Sequence, residues 1–67
     1  MIKLIERKLS AGLKYECTYL CNNANEIAAD FATECAIGST ILCVTGDVFI
    51  KNTEGKWQKF NTSEVIG

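Results

Sequence analysis

Cysteine is the residue type in this chain with the richest possible chemistry, and it occurs at Cys17, Cys21, Cys35 and Cys43. Four thiolates could hold a structural zinc ion, whose ligands are usually paired about two to four residues apart. Only the first two cysteines fit, because seven residues separate the last two. Two disulfides are a second interpretation and need an oxidising compartment. The spacing favours the third, in which four reduced thiols pack as small apolar side chains and no metal is bound.

Other catalytic groups are sparse. The chain contains no His, which is the commonest general base and a frequent metal ligand. Glu26, Asp30 and Glu34 recur at helical spacing, a pattern more typical of a solvated helix face than of two carboxyl groups held in a cleft. Gly38 and Ser39 lack the further glycines and the Lys of a phosphate-binding loop. We therefore predict that the protein is not an enzyme and has no cofactor.

Size and charge narrow the function further. The 67 residues are 48% hydrophobic, so they predict one globular domain, which is only marginally stable alone at this length. The net charge is -1 and the cations are scattered, so we expect no nucleic-acid partner. No apolar run is long enough to span a bilayer, and the charged N-terminus does not fit a signal peptide. We expect synthesis in the cytoplasm.

Apolar and polar residues alternate along much of the sequence, which is the pattern of half-buried strands. This alternation predicts a mainly β domain, a small antiparallel meander of about five short strands with one short helix or helical turn. In this scheme residues 1–21 form the N-terminal strands and residues 22–37 a helix or loop. Residues 38–60 form a three-stranded meander, and residues 61–67 a tail. Asn22 and Asn23 are suited to cap a helix start.

The meander has apolar side chains on both faces. A two-residue turn at Thr45-Gly46 would place Leu42 opposite Phe49. One face would then collect Ile41, Cys43, Val48, Ile50 and Trp57, and the other Leu42, Val44, Phe49 and Phe60. A free antiparallel sheet normally has one wet face, so the domain either closes as a small barrel or sandwich or uses one face for docking. The candidate interface is Leu42, Val44, Phe49 and Phe60, and the candidate core and turn residues are Gly38, Ser39, Gly46, Val48, Gly55 and Trp57.

An ordered pattern of short motifs runs through two thirds of the chain. Tyr15-x-Cys17 is followed by an acidic stretch, Gly38-Ser39, an apolar strand, the segment 45–49 (TGDVF) and the segment 55–57 (GKW). With this pattern, residues 15–60 resemble small virion proteins of tailed bacteriophages, of the head-fibre or capsid-decoration type. The chain lacks the long fibre or collagen-like segment. The resemblance implies assembly on a capsid or tail, often as a trimer, and no catalytic residues.

The leading functional prediction is therefore a non-enzymatic phage structural protein, located in the virion. It would act through oligomerisation and docking on the shell. Its expected partners are further copies of the same chain, in a homo-oligomer, and a phage capsid or tail protein. A small phage-encoded inhibitor or adaptor that binds a host protein is the alternative. A zinc-stabilised regulatory module is a third interpretation.

Overall fold

Five strands form the framework of the fold in residues 2–9 and 14–66, the part of the chain that the computed structural model describes. They build one mixed sheet, so the prediction of a mainly β domain is confirmed. Within these residues, no helix has the length and apolar character needed to cross a membrane. In sheet order the strands are β1 (Lys3–Leu9), β2 (Tyr15–Cys21), β3 (Thr40–Cys43), β4 (Val48–Lys51) and β5 (Trp57–Lys59).

One strand pair differs from the expected antiparallel arrangement. Strands β1 and β2 are antiparallel, as are β3, β4 and β5, but β2 and β3 run parallel. A parallel pair requires a crossover of about a dozen residues or more. Residues 22–39 provide it, and they cross one face of the sheet before β3 begins. The crossover therefore covers that face and supplies the buried Ile27, together with the partly buried Ala24, Phe31 and Ala32, to the core.

The crossover contains no α-helix, and only its first turn is helical. Ala24–Glu26 form a 3-10 turn, and the Asn23 side chain accepts a 3.0 Å hydrogen bond from the Asn25 amide, as a capping residue does. Ile27 ends the turn with extended backbone. Further on, sheet side chains bond to crossover carbonyls: the Trp57 indole Nε1 donates to the Phe31 carbonyl at 2.8 Å. The apolar spacing that suggested a longer helix thus describes an irregular segment, the cover segment (residues 22–37).

The β3–β4 hairpin corrects the predicted pairing by one residue. Gly46 donates to the Cys43 carbonyl at 2.9 Å, and Cys43 donates to the Asp47 carbonyl at 2.8 Å. The loop is therefore three residues long, with Gly46 at φ +106°, where a glycine is favoured. A one-residue shift moves side chains to the opposite face. Ile41 consequently opposes Phe49, and Leu42 opposes Val48.

The core lies between the sheet and the cover segment. Its buried members are Cys21, Ile27, Ile41, Cys43, Phe49 and Trp57. Two sheet side chains also fasten the cover segment through its backbone. Trp57, 1% exposed, bonds to Phe31 as described, while the buried Lys51 donates its Nζ to the Ala32 carbonyl and lies 5.4 Å from the Trp57 ring centroid. Apolar packing and directed hydrogen bonds therefore act together on this face.

The end of the chain folds back on the outer edge of β5. Val65 forms an antiparallel bridge with Gln58, and the Ile66 amide donates to the Trp57 carbonyl at 2.9 Å. The Lys59 amide donates to the Glu64 carbonyl at 2.8 Å. These bonds satisfy backbone groups of β5 that would otherwise face solvent.

Candidate docking surface

Strand register aligns apolar side chains in a row on the face opposite the cover segment. Leu20, Leu42 and Val48 are successive partners across β2, β3 and β4. The same register continues to Phe60, whose amide donates to the Val48 carbonyl at 2.7 Å. Alternation adds Val44 beyond Leu42 and Ile50 beyond Val48. We call this set the open-face patch: Leu20, Leu42, Val44, Val48, Ile50 and Phe60.

The open-face patch is accessible to a partner to differing degrees. Val44 and Phe60 are each 69% exposed, whereas Leu20 and Leu42 are 37% and 36% exposed. Val48 and Ile50 are half-buried by their neighbours on the sheet. A shallow depression of about 220 Å³ lies beside Phe60, lined also by Ile50 and Gln58. The patch is thus an apolar surface with two prominent side chains, Val44 at the start of the β3–β4 turn and Phe60 on the β5 side.

Polar side chains border the patch. The next row of register partners places Glu6, Thr18 and Thr40 on one side of the patch residue Ile50, and Gln58 on the other. Toward β1 this face becomes charged, with Lys8 and Glu16 3.9 Å apart as an exposed ion pair. An apolar centre with a polar margin is the usual layout of a protein–protein interface.

The two edges of the sheet are poorer places for a partner to bind. The edge of β5 carries the returning chain end. Strand β1 is exposed along its whole length and holds Lys3, Glu6, Arg7 and Lys8, with a bulge between Leu4 and Glu6. Charges and bulges on an edge strand discourage pairing with another chain. The open-face patch is therefore the better candidate surface.

The structure brings together three of the four residues expected at an interface. Leu42, Val44 and Phe60 lie on the open face, but Phe49 is 4% exposed in the core. The shifted register explains the difference, since it exchanges Phe49 with Val48 and Ile50. Leu20 was not among the predicted interface residues. Because it is two residues after Thr18 and four after Glu16, the period of two places all three side chains on one face of β2.

The residues expected in the core or in turns are three glycines, two residues that are buried in the structure, and Val48, which is not in the core. Gly38, Gly46 and Gly55 all have positive φ, and Trp57 is buried. Ser39 is fully buried, and its hydroxyl is satisfied because it donates to the Ala36 carbonyl at 2.7 Å and accepts from the Cys17 amide at 3.1 Å. Ser39 thereby joins the cover segment to β2. Val48 lies on the open face.

The four thiols are buried and lie in two places. Cys21 and Cys43 face each other within the core, with their Sγ atoms 2.9 Å apart. Cys35 contacts the Tyr19 hydroxyl at 3.2 Å, near Cys17. Burial raises the pKa of Cys43 to about 12, and the Cys21 side chain adds to this shift. Burial also raises the pKa of Cys17 and of Tyr19 above their ordinary values, so these groups are held neutral and are poor nucleophiles.

A groove runs beside the Cys17 and Cys35 thiols, between β1, β2 and the cover segment. Its volume is about 360 Å³, and its walls include Leu4, Arg7 and Tyr15. The Arg7 guanidinium lies 4.5 Å from the Tyr15 ring centroid and partly fills the space above that ring. Among the described residues, no three His, Cys, Asp or Glu side chains are close enough to hold a metal ion.

The acidic residues of the cover segment do not share a helix face, because no helix forms there. Glu26 accepts a 2.9 Å hydrogen bond from the Asn22 amide at the start of the 3-10 turn. Asp30 and Glu34 are exposed.

No protein-family model, curated protein or solved structure matches this chain.

Proposed function

We propose that this protein is a non-enzymatic structural subunit of a bacteriophage virion, of the capsid-decoration, head-fibre or attachment type, which docks through its open-face patch. The observation that carries the proposal is the apolar row from β2 to Phe60, which no segment among residues 2–9 and 14–66 covers, in a domain whose opposite face carries the cover segment. Each large apolar side chain contributes about 1.5–3 kcal/mol when it is transferred fully from water to an apolar contact. The two most exposed members, Val44 and Phe60, have the most to gain.

A second copy of the chain is the first partner that the patch suits. The whole patch is apolar, so two copies could bury it against each other without leaving an unpaired charge. The chain is short, and association is a common source of stability for domains of this size. Contact with a larger shell protein would use the same surface. The sequence resemblance of residues 15–60 to phage virion proteins supports this setting.

The test in solution is sedimentation equilibrium of the purified chain at micromolar concentration. We expect wild type to associate and Phe60→Glu to be a folded monomer, because a carboxylate in the patch would be buried without a partner. Thr53→Glu is the matched control, since it adds the same charge at the exposed β4–β5 turn. Thr53→Glu should associate as wild type does. A monomeric wild type or a Phe60→Glu variant that associates normally would contradict docking between copies.

A second measurement concerns the virion. Mass spectrometry of purified particles from the phage that encodes this chain should find it in many copies per particle. The Phe60→Glu allele should reduce its amount in particles, whereas Thr53→Glu should not. Absence from particles, together with recovery of one host protein bound stoichiometrically to the purified chain, would favour the inhibitor or adaptor function.

A further inference from the structure

The thiols of Cys21 and Cys43 are arranged as a disulfide precursor. The two residues are register partners on the parallel strands β2 and β3, and both side chains lie in the core. Their Sγ atoms are 2.9 Å apart, closer than two sulfur atoms that merely pack. Neighbouring strands lie about 4.8 Å apart, within the Cα separation of about 4.4–6.8 Å that a disulfide spans. A bond of about 2.05 Å therefore requires only a small approach of the two sulfur atoms.

The other two cysteines have different surroundings. The Cys35 Sγ is engaged by the Tyr19 hydroxyl at 3.2 Å, and the Cys17 Sγ points to the Tyr15 carbonyl oxygen at 3.7 Å. Cys17 and Cys35 belong to β2 and the cover segment, so no strand pairing fixes their separation. The Cys17 and Cys35 side chains also interact, so strand register, and not proximity alone, distinguishes the Cys21–Cys43 pair.

We propose that Cys21 and Cys43 are a modification site, at which a small-molecule disulfide such as oxidised glutathione converts the two thiols into an intrachain cross-link. Because both thiols are buried, the oxidant reaches them only when the cover segment opens transiently. One cysteine thiolate then attacks a sulfur of the oxidant, forming a mixed disulfide and releasing one glutathione thiolate. The second cysteine thiolate then displaces the other glutathione from the mixed disulfide, and the Cys21–Cys43 bond forms. The two cysteine protons pass to the released thiolates, so one oxidant molecule is reduced to two thiols and both electrons are accounted for.

The cross-link would fasten the cover segment. The ring that it closes contains all of residues 22–42, and with them most of the contacts that cover the core. A disulfide restricts the unfolded chain most when it closes a long loop. We expect oxidation to raise the melting temperature by roughly 10–20 °C, from the usual stabilisation for a loop of this length in a small domain. The effect does not depend on what the open-face patch binds.

The experiment uses the full wild-type chain, purified reduced and then incubated folded with oxidised glutathione at mildly alkaline pH. Burial raises the pKa of Cys43, so alkaline pH increases the reactive thiolate fraction. Remaining thiols are alkylated under denaturing conditions, and the chain is digested with chymotrypsin. Cleavage after Tyr19, Phe31 and Leu42 leaves each cysteine on its own peptide, so the pairing is read directly from the masses.

The expected result is one linked peptide pair containing Cys21 and Cys43, from monomeric protein, with Cys17 and Cys35 alkylated. Thermal melting should rise on oxidation in wild type and in Cys35→Ala, a matched loss of a buried thiol, but not in Cys43→Ala. A Cys17–Cys35 bond, glutathione adducts without an intrachain bond, linkage between chains, or no reaction would each overturn the proposal. If Cys43→Ala does not fold, the wild-type peptide pairing decides the question alone.

Discussion

The two faces of the sheet are both apolar, yet they differ in how their side chains are held. On the covered face, the Trp57 indole and the Lys51 ammonium group donate hydrogen bonds to backbone carbonyls of the cover segment. On the open face, the patch has no segment of the described chain above it and offers a row of aliphatic and aromatic side chains. Apolar content alone therefore does not identify the core of this domain. The core face is identified by hydrogen bonds from its side chains to the backbone of the cover segment.

This difference suggests different partners for the two faces. Hydrogen bonds to particular carbonyls restrict the cover segment to one position, since a displaced segment would leave buried polar groups unsatisfied. An apolar row imposes shape but few directional requirements. The covered face thus suits a permanent intramolecular contact, and the open face suits association with a separate surface, as we propose.

The largest expected effect is on the covered face, at Trp57. Trp57→Ala removes the largest fully buried side chain and its bond to Phe31, and such truncations cost about 3–5 kcal/mol. Small domains often have only about 5 kcal/mol of total stability, so we expect the variant to be largely unfolded by circular dichroism. Trp57→Phe, which keeps part of the packing, should lose less. A Trp57→Ala variant with the wild-type melting temperature would show that the cover segment does not depend on this anchor.

The second effect concerns the buried lysine. Lys51→Ala removes both the bond to Ala32 and the aliphatic stem beneath the cover segment, and we expect a loss of about 2–3 kcal/mol in urea unfolding. Lys51→Met retains most of the volume and should cost less, since the Cys35 amide still donates to the Ala32 carbonyl at 3.1 Å. Equal losses in the two variants would mean that the charge, and not the packing, holds the segment.

The third effect is a loss of stability in alkali that arises from the Cys43 thiol on the covered face. The pKa of Cys43 is raised by burial to about 12 from an ordinary value of 9.0, so the folded state binds more protons than the unfolded state between these values. Its contribution is complete below pH 9 and is lost as the pH rises toward 12, at up to about 1.4 kcal/mol per pH unit. Urea midpoints measured across this range should fall. Cys43→Ala should make the profile less steep, and the slope that remains is due to Cys17 and Tyr19, whose pKa values burial also raises. An unchanged slope would contradict the assignment to the Cys43 thiol.

The smallest effect on stability is expected on the open face. Phe60→Ala should change the unfolding free energy of the monomer by no more than about 0.5 kcal/mol, as surface substitutions usually do. Phe49→Ala is the matched change on the covered face and should cost about 3–5 kcal/mol, because Phe49 is 4% exposed and Phe60 is 69% exposed. Both are measured under conditions in which the chain is monomeric. Equal losses would remove the distinction between the two faces.

Much of the strand pattern was predictable from the sequence because alternation is a local property. The segments around Tyr15, Ile41 and Trp57 all lie on strands as expected. The hairpin register was not predictable, because Thr45-Gly46 is compatible with loops of two or three residues. That single residue decides whether Phe49 or Val48 enters the core. The candidate surface was therefore predicted with the right chain segment and one wrong member, and Leu20, Val48 and Ile50 were absent from it.

The structure of the crossover was not predictable from the sequence, for a different reason. The spacing of Ile27 and Phe31 suggested a helix, but the backbone of the cover segment is hydrogen-bonded to side-chain and backbone groups of strands distant in sequence. The Phe31 carbonyl accepts from Trp57, and the Ala36 amide donates to the Tyr15 carbonyl at 2.8 Å. Such long-range hydrogen bonds outweigh helix propensity, and no pattern in the neighbouring sequence indicates them. The parallel β2–β3 pair that depends on this segment was missed with it.

That parallel pair also bears on the order in which the molecule folds. The β3–β4 turn and the β4–β5 turn join strands that are near neighbours in sequence, whereas Cys21 and Cys43 must meet across the whole crossover. Closing a longer loop has a larger entropic cost, which must be met before the contacts form. Local hairpins form within about microseconds. The joining of β2 to a preformed meander is therefore the expected rate-limiting step, and substitutions at Trp57 or Ile41 should slow folding more than substitutions in either turn.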